Sequence, residues 1–277
     1  MTLCAERARG EGHSVFAAVG ESPSSAVLRR EVGRASLIVL PYPATRDGVF
    51  INATRLPFSD LPLSEGATVV GGGIPADWHR EHILFCDLVR DERLLWQNAR
   101  LTAEGVLAAA LSATERGLYG VAVAVLGYGR IGKQLARLAA CLGAQVTVYA
   151  RREVAIAEAE AAGHRVCSLA SATRFGEAVV FSTLPPSADV LPILSPRALC
   201  YDLGGALPNA LPDGEGGSIS VESARGVPGI FAPVGAAEVY YEALRPYLSA
   251  EGTAGEESFP TESVVPTAAM GEGRWFL

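Results

Sequence analysis

Six residues, Gly127-Tyr128-Gly129-Arg130-Ile131-Gly132, carry the clearest chemical signature in this sequence. They spell G-x-G-x-x-G directly after the apolar run Val121-Ala122-Val123-Ala124-Val125-Leu126 and open a helix expected over Ile131 to Leu142. Each glycine has a mechanical role in such a turn. Gly127 permits the tight bend, Gly129 lets backbone approach a pyrophosphate with no Cβ in the way, and Gly132 allows helix and strand to pack closely. The first helical turn then directs N–H groups and the positive end of its dipole at the phosphates. Among 30 glycines the pattern alone would say little. The strand before it, the helix after it and a second strand over Gln145 to Tyr149 make it a β-α-β unit built for a dinucleotide.

The end of that second strand bears on which dinucleotide binds. Where NAD is preferred, an acidic residue about 20 residues past the motif takes the ribose hydroxyls. Here the strand runs out into Ala150-Arg151-Arg152. Two planar guanidinium forks suit a 2′-phosphate, so NADP is the expected coenzyme. Glu153 follows directly and keeps NAD open as the alternative, and a solvated helix start would account for the arginines as well.

In doubly wound sheets ligands bind beyond the carboxyl ends of the strands. Thr183-Leu184-Pro185, after the buried strand Ala178 to Thr183, is placed to line the nicotinamide ribose. Asp202, at the tip of the strand Ala198 to Leu203, fits two roles: an acceptor for carboxamide or substrate, or a turn carboxylate serving local N–H groups. In the first half of the chain, the loop Pro41 to Gly48 offers a hydroxyl and a cation, Thr45 and Arg46, suited to a substrate carboxylate. It reads equally as a turn built on Asp47-Gly48. Gly71-Gly72-Gly73 offers N–H groups for an anion, which makes Gly72 and Gly73 substrate candidates too. Asn98 and Glu104 flank the crossing between domains. The four histidines are His13, His79, His82 and His164. A D-2-hydroxyacid dehydrogenase needs a late histidine as acid-base, and no histidine follows residue 164. His79 and His82 have no third partner in sequence, and no metal site is expected.

The elements that must position these groups alternate between strand and helix, the pattern of an α/β protein with parallel sheets. Two doubly wound, Rossmann-like domains are expected, the first lacking its usual opening strand. Residues 1–100 form the first, with a helix over Thr2 to Gly10 and strands over His13 to Gly20, Ala35 to Leu40, Ala67 to Val70 and Leu84 to Leu88. A helix over Thr102 to Glu115, capped by Thr102, crosses between domains (101–116). The dinucleotide domain spans 117–232, with further elements over Val154 to Ala162 (helix), Arg165 to Ser168 (strand) and Ser171 to Glu177 (helix). A last helix over Val234 to Leu248 packs back (233–249). Residues 250–277 are expected to be disordered, apart from an apolar end at Trp275-Phe276-Leu277.

Composition narrows the classes. At 277 residues with 49% apolar and 19% charged residues, the chain can bury a sizeable core. A net charge of −7 provides no basic face for nucleic acid. Cys4, Cys86, Cys141, Cys167 and Cys200 are scattered and read as reduced, small core residues. No signal-like segment precedes the first elements, and no apolar run approaches the ~18 residues of a membrane span. A cytoplasmic protein is expected, with a homo-oligomer open.

Taken in order over residues 1–250, the layout resembles the A subunits of dipicolinate synthase, Rossmann proteins of spore-forming bacteria. The matching pieces are Leu40-Pro41 with Ala44-Thr45 and Gly48, Gly71-Gly72-Gly73-Ile74, Thr102 with Glu104-Gly105, and Val123 to Gly132. They continue with Leu142-Gly143-Ala144, Ala150-Arg151, Ser182-Thr183-Leu184-Pro185, Tyr201-Asp202-Leu203, and Val227-Pro228-Gly229-Ile230 with Ala232-Pro233. The resemblance implies oxidation of a dihydro- or hydroxytetrahydrodipicolinate to pyridine-2,6-dicarboxylate during sporulation, and a partner in the form of a flavoprotein-like second subunit. Departures are the absent opening strand, Val234-Gly235-Ala236-Ala237 where Thr-Ala-Gly is usual, and the recast stretch Gly204-Gly205-Ala206-Leu207-Pro208. A 2-hydroxyacid or amino-acid dehydrogenase is the second enzyme reading, and a dinucleotide-binding scaffold or sensor without turnover is the third.

Overall fold

The computed structural model describes residues 2–16, 26–52, 56–114, 117–170, 174–224, 233–248 and 274–276. The chain divides into two compact units, Met1–Leu94 with Ala237–Leu277, and Leu95–Ala236. The expected elements at 17–20 and the Pro228-Gly229-Ile230 piece lie outside the described residues.

The second unit is built on a seven-stranded sheet. Its parallel strands are β5 (Ala122–Leu126), β6 (Gln145–Ala150), β7 (Arg165–Ser168), β9 (Val179–Ser182), β11 (Leu199–Asp202) and β13 (Ser218–Ser223). From one edge they run β7-β6-β5-β9-β11-β13, the 3-2-1-4-5-6 order of a dinucleotide-binding fold. β12 (Ala210–Pro212) adds an antiparallel edge on β13, through a turn in which Asp213 accepts from the N–H groups of Glu215 and Gly217. Strand β5 is buried on both faces, as a central parallel strand must be. Val123 and Val125 pack with helices α3 (Glu92–Ala113), α4 (Arg130–Cys141) and α5 (Glu153–Ala161). Ala124 and Leu126 face the other way, into a core with Tyr149, Phe175, Val180 and Leu194. There the cover includes a two-stranded sheet, β8 (Arg174–Phe175) with β10 (Ile193–Leu194).

The first unit holds a five-stranded, all-parallel sheet. Strands β1 (Ser14–Phe16), β2 (Leu37–Val39), β3 (Thr68–Gly71), β4 (Leu84–Asp87) and β14 (Arg274–Phe276) lie in the order β1-β14-β2-β3-β4. One face buries Ile38 and Leu40 with Ile51, Phe58 and Trp78; the Phe58 and Trp78 rings stack at 4.3 Å. The other buries Leu37 and Val39 beneath α1 (Thr2–Gly10) and α6 (Pro233–Leu248), which contribute Cys4, Ala5, Ala8, Tyr240, Tyr241, Leu244 and Leu248. Helix α2 (Ala26–Val32) links β1 to β2. No helix among the described residues is long and apolar enough to cross a membrane.

Several sequence expectations are corrected. Thr102 is not an N-cap: α3 starts ten residues earlier, and Thr102 Oγ1 donates to Asn98 O inside it. The cap is Asp91, whose carboxylate accepts from Leu94 N at 2.9 Å. The apolar recurrence at 101–111 marks only the second half of the helix. The expected helix over 171–177 is a strand at 174–175, paired in parallel with Ile193–Leu194, with Arg174 exposed and Phe175 fully buried. Residues 171–173 lie outside the described residues. Cys141 and Cys167 are exposed rather than core residues. Cys141 lies off the buried stripe Gly132, Leu135, Ala136 and Ala139, and Cys167 sits on edge strand β7. Arg274–Phe276, which overlaps the apolar end set apart from the expected disorder, forms β14, an element no sequence reading placed. The position an opening strand would take, between β1 and β2, belongs to it. An Asp91→Ala protein is expected to lose about 1 kcal/mol of stability, the usual effect of removing an N-cap carboxylate, read as a lower midpoint in urea unfolding.

Candidate dinucleotide site

The site grows from the turn that follows β5. Gly127 has φ +92, in the left-handed region, and its N–H donates to Tyr149 O at 2.8 Å. A Cβ there would meet Thr183 Oγ1 at 2.7 Å. A Cβ on Gly132 would overlap the carbonyl oxygen of Gly127, so only glycine lets α4 approach β5 this closely. Gly129 differs: φ is −84 and a Cβ would meet nothing within 4 Å. It is exposed and opens α4 with no side-chain cap. The first-turn N–H groups of a helix have no acceptor within it, so this turn offers donors to an anion. The open space at Gly129 and the free donors of this turn fit a pyrophosphate.

Thr183 ties the neighbouring strand to the same turn. Its N–H donates to Leu126 O at 2.8 Å, and its hydroxyl lies 3.0 Å from Leu126 O and 3.3 Å from Gly127 O. Because β5 and β9 are adjacent, Gly127 and Thr183 stand on either side of the point where strand order reverses. Leu184 is buried and Pro185 exposed. A Cβ on Gly204 would overlap Leu184 O, so the loops after β9 and β11 also meet at backbone distance. The side chain of Tyr128 is turned into the core. Its ring is buried among the helices and lies edge-on to His164 at 6.1 Å, with Lys133 Nζ 5.7 Å from its centroid. Burial raises the Tyr128 hydroxyl pKa and lowers that of His164. Arg130 is exposed, and Ile131 packs partly against the core.

Strand β6 ends at Ala150, with Arg151 and Arg152 exposed beyond it. Glu153 belongs to the first turn of α5 rather than to the strand end. Asp202 has already committed both oxygens: Oδ1 accepts from Gly205 N at 3.0 Å and Oδ2 from Leu207 N at 3.1 Å. Of its two roles, the turn carboxylate is the one the geometry shows.

The candidates of the first unit lie on separate loops. Thr45 Oγ1 donates to Asp47 Oδ1 at 3.1 Å and accepts from Gly48 N at 3.0 Å. Asp47 Oδ1 accepts from Val49 N and Phe50 N, and these bonds hold its carboxyl below the usual range. Thr45 therefore builds its own turn, while Arg46 is left exposed. The glycine run holds an anion of its own. Gly73 N donates to Asp87 Oδ1 at 2.8 Å and Ile74 N to Oδ2 at 3.3 Å. Gly72 is covered by the Tyr42 ring, which a Cβ there would overlap. Asp87 and Tyr42 were not singled out from sequence, because Asp87 lies 14 residues from Gly73 and meets it only through the pairing of β3 with β4. Glu104 pairs with Arg100 at 3.4 Å on an exposed helix face. His79 stacks on Phe85, and no three metal-ligating side chains cluster among the described residues.

Comparison with known proteins agrees with this geometry. Residues 88–194, less than half of the chain, match the family model for D-isomer specific 2-hydroxyacid dehydrogenase, NAD binding domain. The A chain of dipicolinate synthase from Bacillus halodurans superposes with a TM-score of 0.61 at 24% identity, covering 77% of this chain and 79% of that one. Its counterpart from Bacillus subtilis gives 0.67 at 22% identity over 89% and 92% of the two chains. A transhydrogenase from Sinorhizobium meliloti gives 0.52 at 17% identity over 79% and 75%. No curated protein matches the sequence. The chain thus shares the α/β fold of the dipicolinate synthase A chains, and its second unit is a nicotinamide-dinucleotide-binding domain. Gly132→Val is expected to cost about 1–3 kcal/mol, through overpacking against Gly127 O, and to lower the melting temperature.

Proposed function

We propose that this chain is an NADP-dependent oxidoreductase of the dipicolinate synthase A type. The observation that carries the reading is the uncapped, unobstructed turn at Gly129, placed where strand order reverses between β5 and β9. Two further observations support its finer parts. Arg151 and Arg152 stand exposed past the tip of β6, with no acidic residue at the strand end, which favours a 2′-phosphate. The fold likeness to two dipicolinate synthase A chains supports a cyclic dicarboxylate as substrate.

The nicotinamide ring, when bound, accepts a hydride. Loss of that hydride and one proton from a dihydrodipicolinate leaves pyridine-2,6-dicarboxylate, and the aromatic ring supplies the driving force. The chain's own work is then mostly positioning. The Gly127–Gly132 turn and α4 hold the diphosphate. Thr183 fixes the floor beside it, and Arg46 is the exposed cation of its loop available to a carboxylate. Gly72 and Gly73 remain substrate candidates only if Asp87 gives up the N–H groups it holds. A cytoplasmic location and a flavoprotein-like second subunit complete the proposal.

A scaffold or sensor without turnover is the second reading, favoured by Asp87 filling the anion cradle of the first unit. The 2-hydroxyacid dehydrogenase reading has the match over 88–194 behind it, but no histidine follows residue 164 to act as its acid-base. Fluorescence titration with NADPH and NADH separates the coenzymes. NADPH should bind at least tenfold more tightly, and Arg151→Ala with Arg152→Ala should weaken NADPH at least tenfold (about 1.4 kcal/mol) while leaving NADH nearly unchanged. Equal affinities, or an unchanged double variant, would remove the arginines from the site. Ultraviolet detection of pyridine-2,6-dicarboxylate from a dihydrodipicolinate supply, with NADP and the second subunit present, tests turnover.

A further inference from the structure

In the first unit, β1 and β2 are joined by α2 yet do not pair. One strand position separates them, and β14 fills it, parallel to both. Ser14, Val15 and Phe16 lie opposite Arg274, Trp275 and Phe276, while Trp275 and Phe276 lie opposite Leu37 and Ile38. With β14 counted as the first strand, the order β1-β14-β2-β3-β4 becomes 2-1-3-4-5, that of flavodoxin-like sheets. The central strand of such a sheet ordinarily leads straight into the first helix. Here it comes from residues separated from α6 by the whole stretch 249–273.

We propose that the position between β1 and β2 is a strand-receiving site, and that residues 274–276 of this same chain are its exchangeable occupant. Three physical points carry this. Without an occupant, two facing strand edges would stand about 9–10 Å apart, twice the normal strand spacing, too far to pair with each other. Such edges present rows of unpaired N–H and C=O groups, and recognition by strand addition uses those groups for affinity. Among the described residues, β1 pairs with no strand other than β14, so its attachment to the sheet passes through three residues. The 25 residues between α6 and β14 can span up to about 85 Å when extended, so the connection does not force the strand into place. A short tethered segment of this kind reaches its site at an effective concentration of order millimolar.

The test uses the full chain. A Trp275→Pro substitution removes the N–H in the middle of β14 and so breaks its ladder. Hydrogen exchange of the amides at 14–16 and 37–39 should accelerate at least tenfold in this variant, with β5 and β6 of the second unit unchanged. A synthetic peptide of residues 271–277, added at millimolar concentration, should bind the variant saturably at one per chain and restore protection, whereas a scrambled peptide should not. In the unsubstituted protein, protection should be independent of protein concentration over a hundredfold dilution. Unchanged exchange in the variant, or no rescue by the peptide, would overturn the proposal. Protection lost on dilution would assign the strand to a second copy and overturn the same-chain occupant.

Discussion

The second unit depends on one contact, the backbone approach of α4 to the turn after β5. Gly132 lies so close to the Gly127 carbonyl that any side chain on it would overlap that oxygen, and Thr183 closes the same turn from the neighbouring strand. The sheet and the site share this requirement. The contact that lets helix and strand bury Leu135, Ala136, Val123 and Val125 together also aims the start of α4 at the space before Gly129. A fold that failed to bring them together would lose its core and its anion site at once.

The two units use carboxylates differently from this glycine turn. Asp87 and Asp202 stand at strand tips, where ligands bind in α/β folds, yet both spend their oxygens on backbone N–H groups: Asp202 on the loop that follows it, Asp87 on the loop after the neighbouring strand β3. Asp47 does the same for the loop it opens. These carboxylates fix loop shape, and that leaves Arg46, Arg151 and Arg152 as exposed cations on the same classes of loop. Within the second unit, the turn at Gly129 offers backbone donors while Arg151 and Arg152 stand exposed past β6, an arrangement suited to anionic ligands.

Much of the second unit was legible in the sequence, because the glycine positions, the apolar runs of β5, β9 and β11, and the flanking helices are local signals. Phe175 was misread because a two-residue strand has too little length to show a period, and the missing half of α3 lacked the apolar recurrence of residues 101–111. Capping was assigned to Thr102 by residue type, whereas Asp91 wins by position. Asp202 had two readings, and only the distances to Gly205 and Leu207 separate them. The fate of Asp87 was invisible because it depends on β3 and β4 lying side by side, a long-range pairing with no local mark. The insertion of 274–276 between β1 and β2 was hidden for the same reason, since nothing within that segment states its neighbours.

The most direct measurement is coenzyme titration of a Gly129→Val protein alongside the unsubstituted chain. Space exists for the new side chain and φ −84 suits valine, so the melting temperature should stay within a few degrees. NADPH affinity should fall a hundredfold or more, because the isopropyl group occupies the room needed by the diphosphate. A variant that folds and binds NADPH as tightly as the unsubstituted protein would contradict the placement of the dinucleotide at this turn.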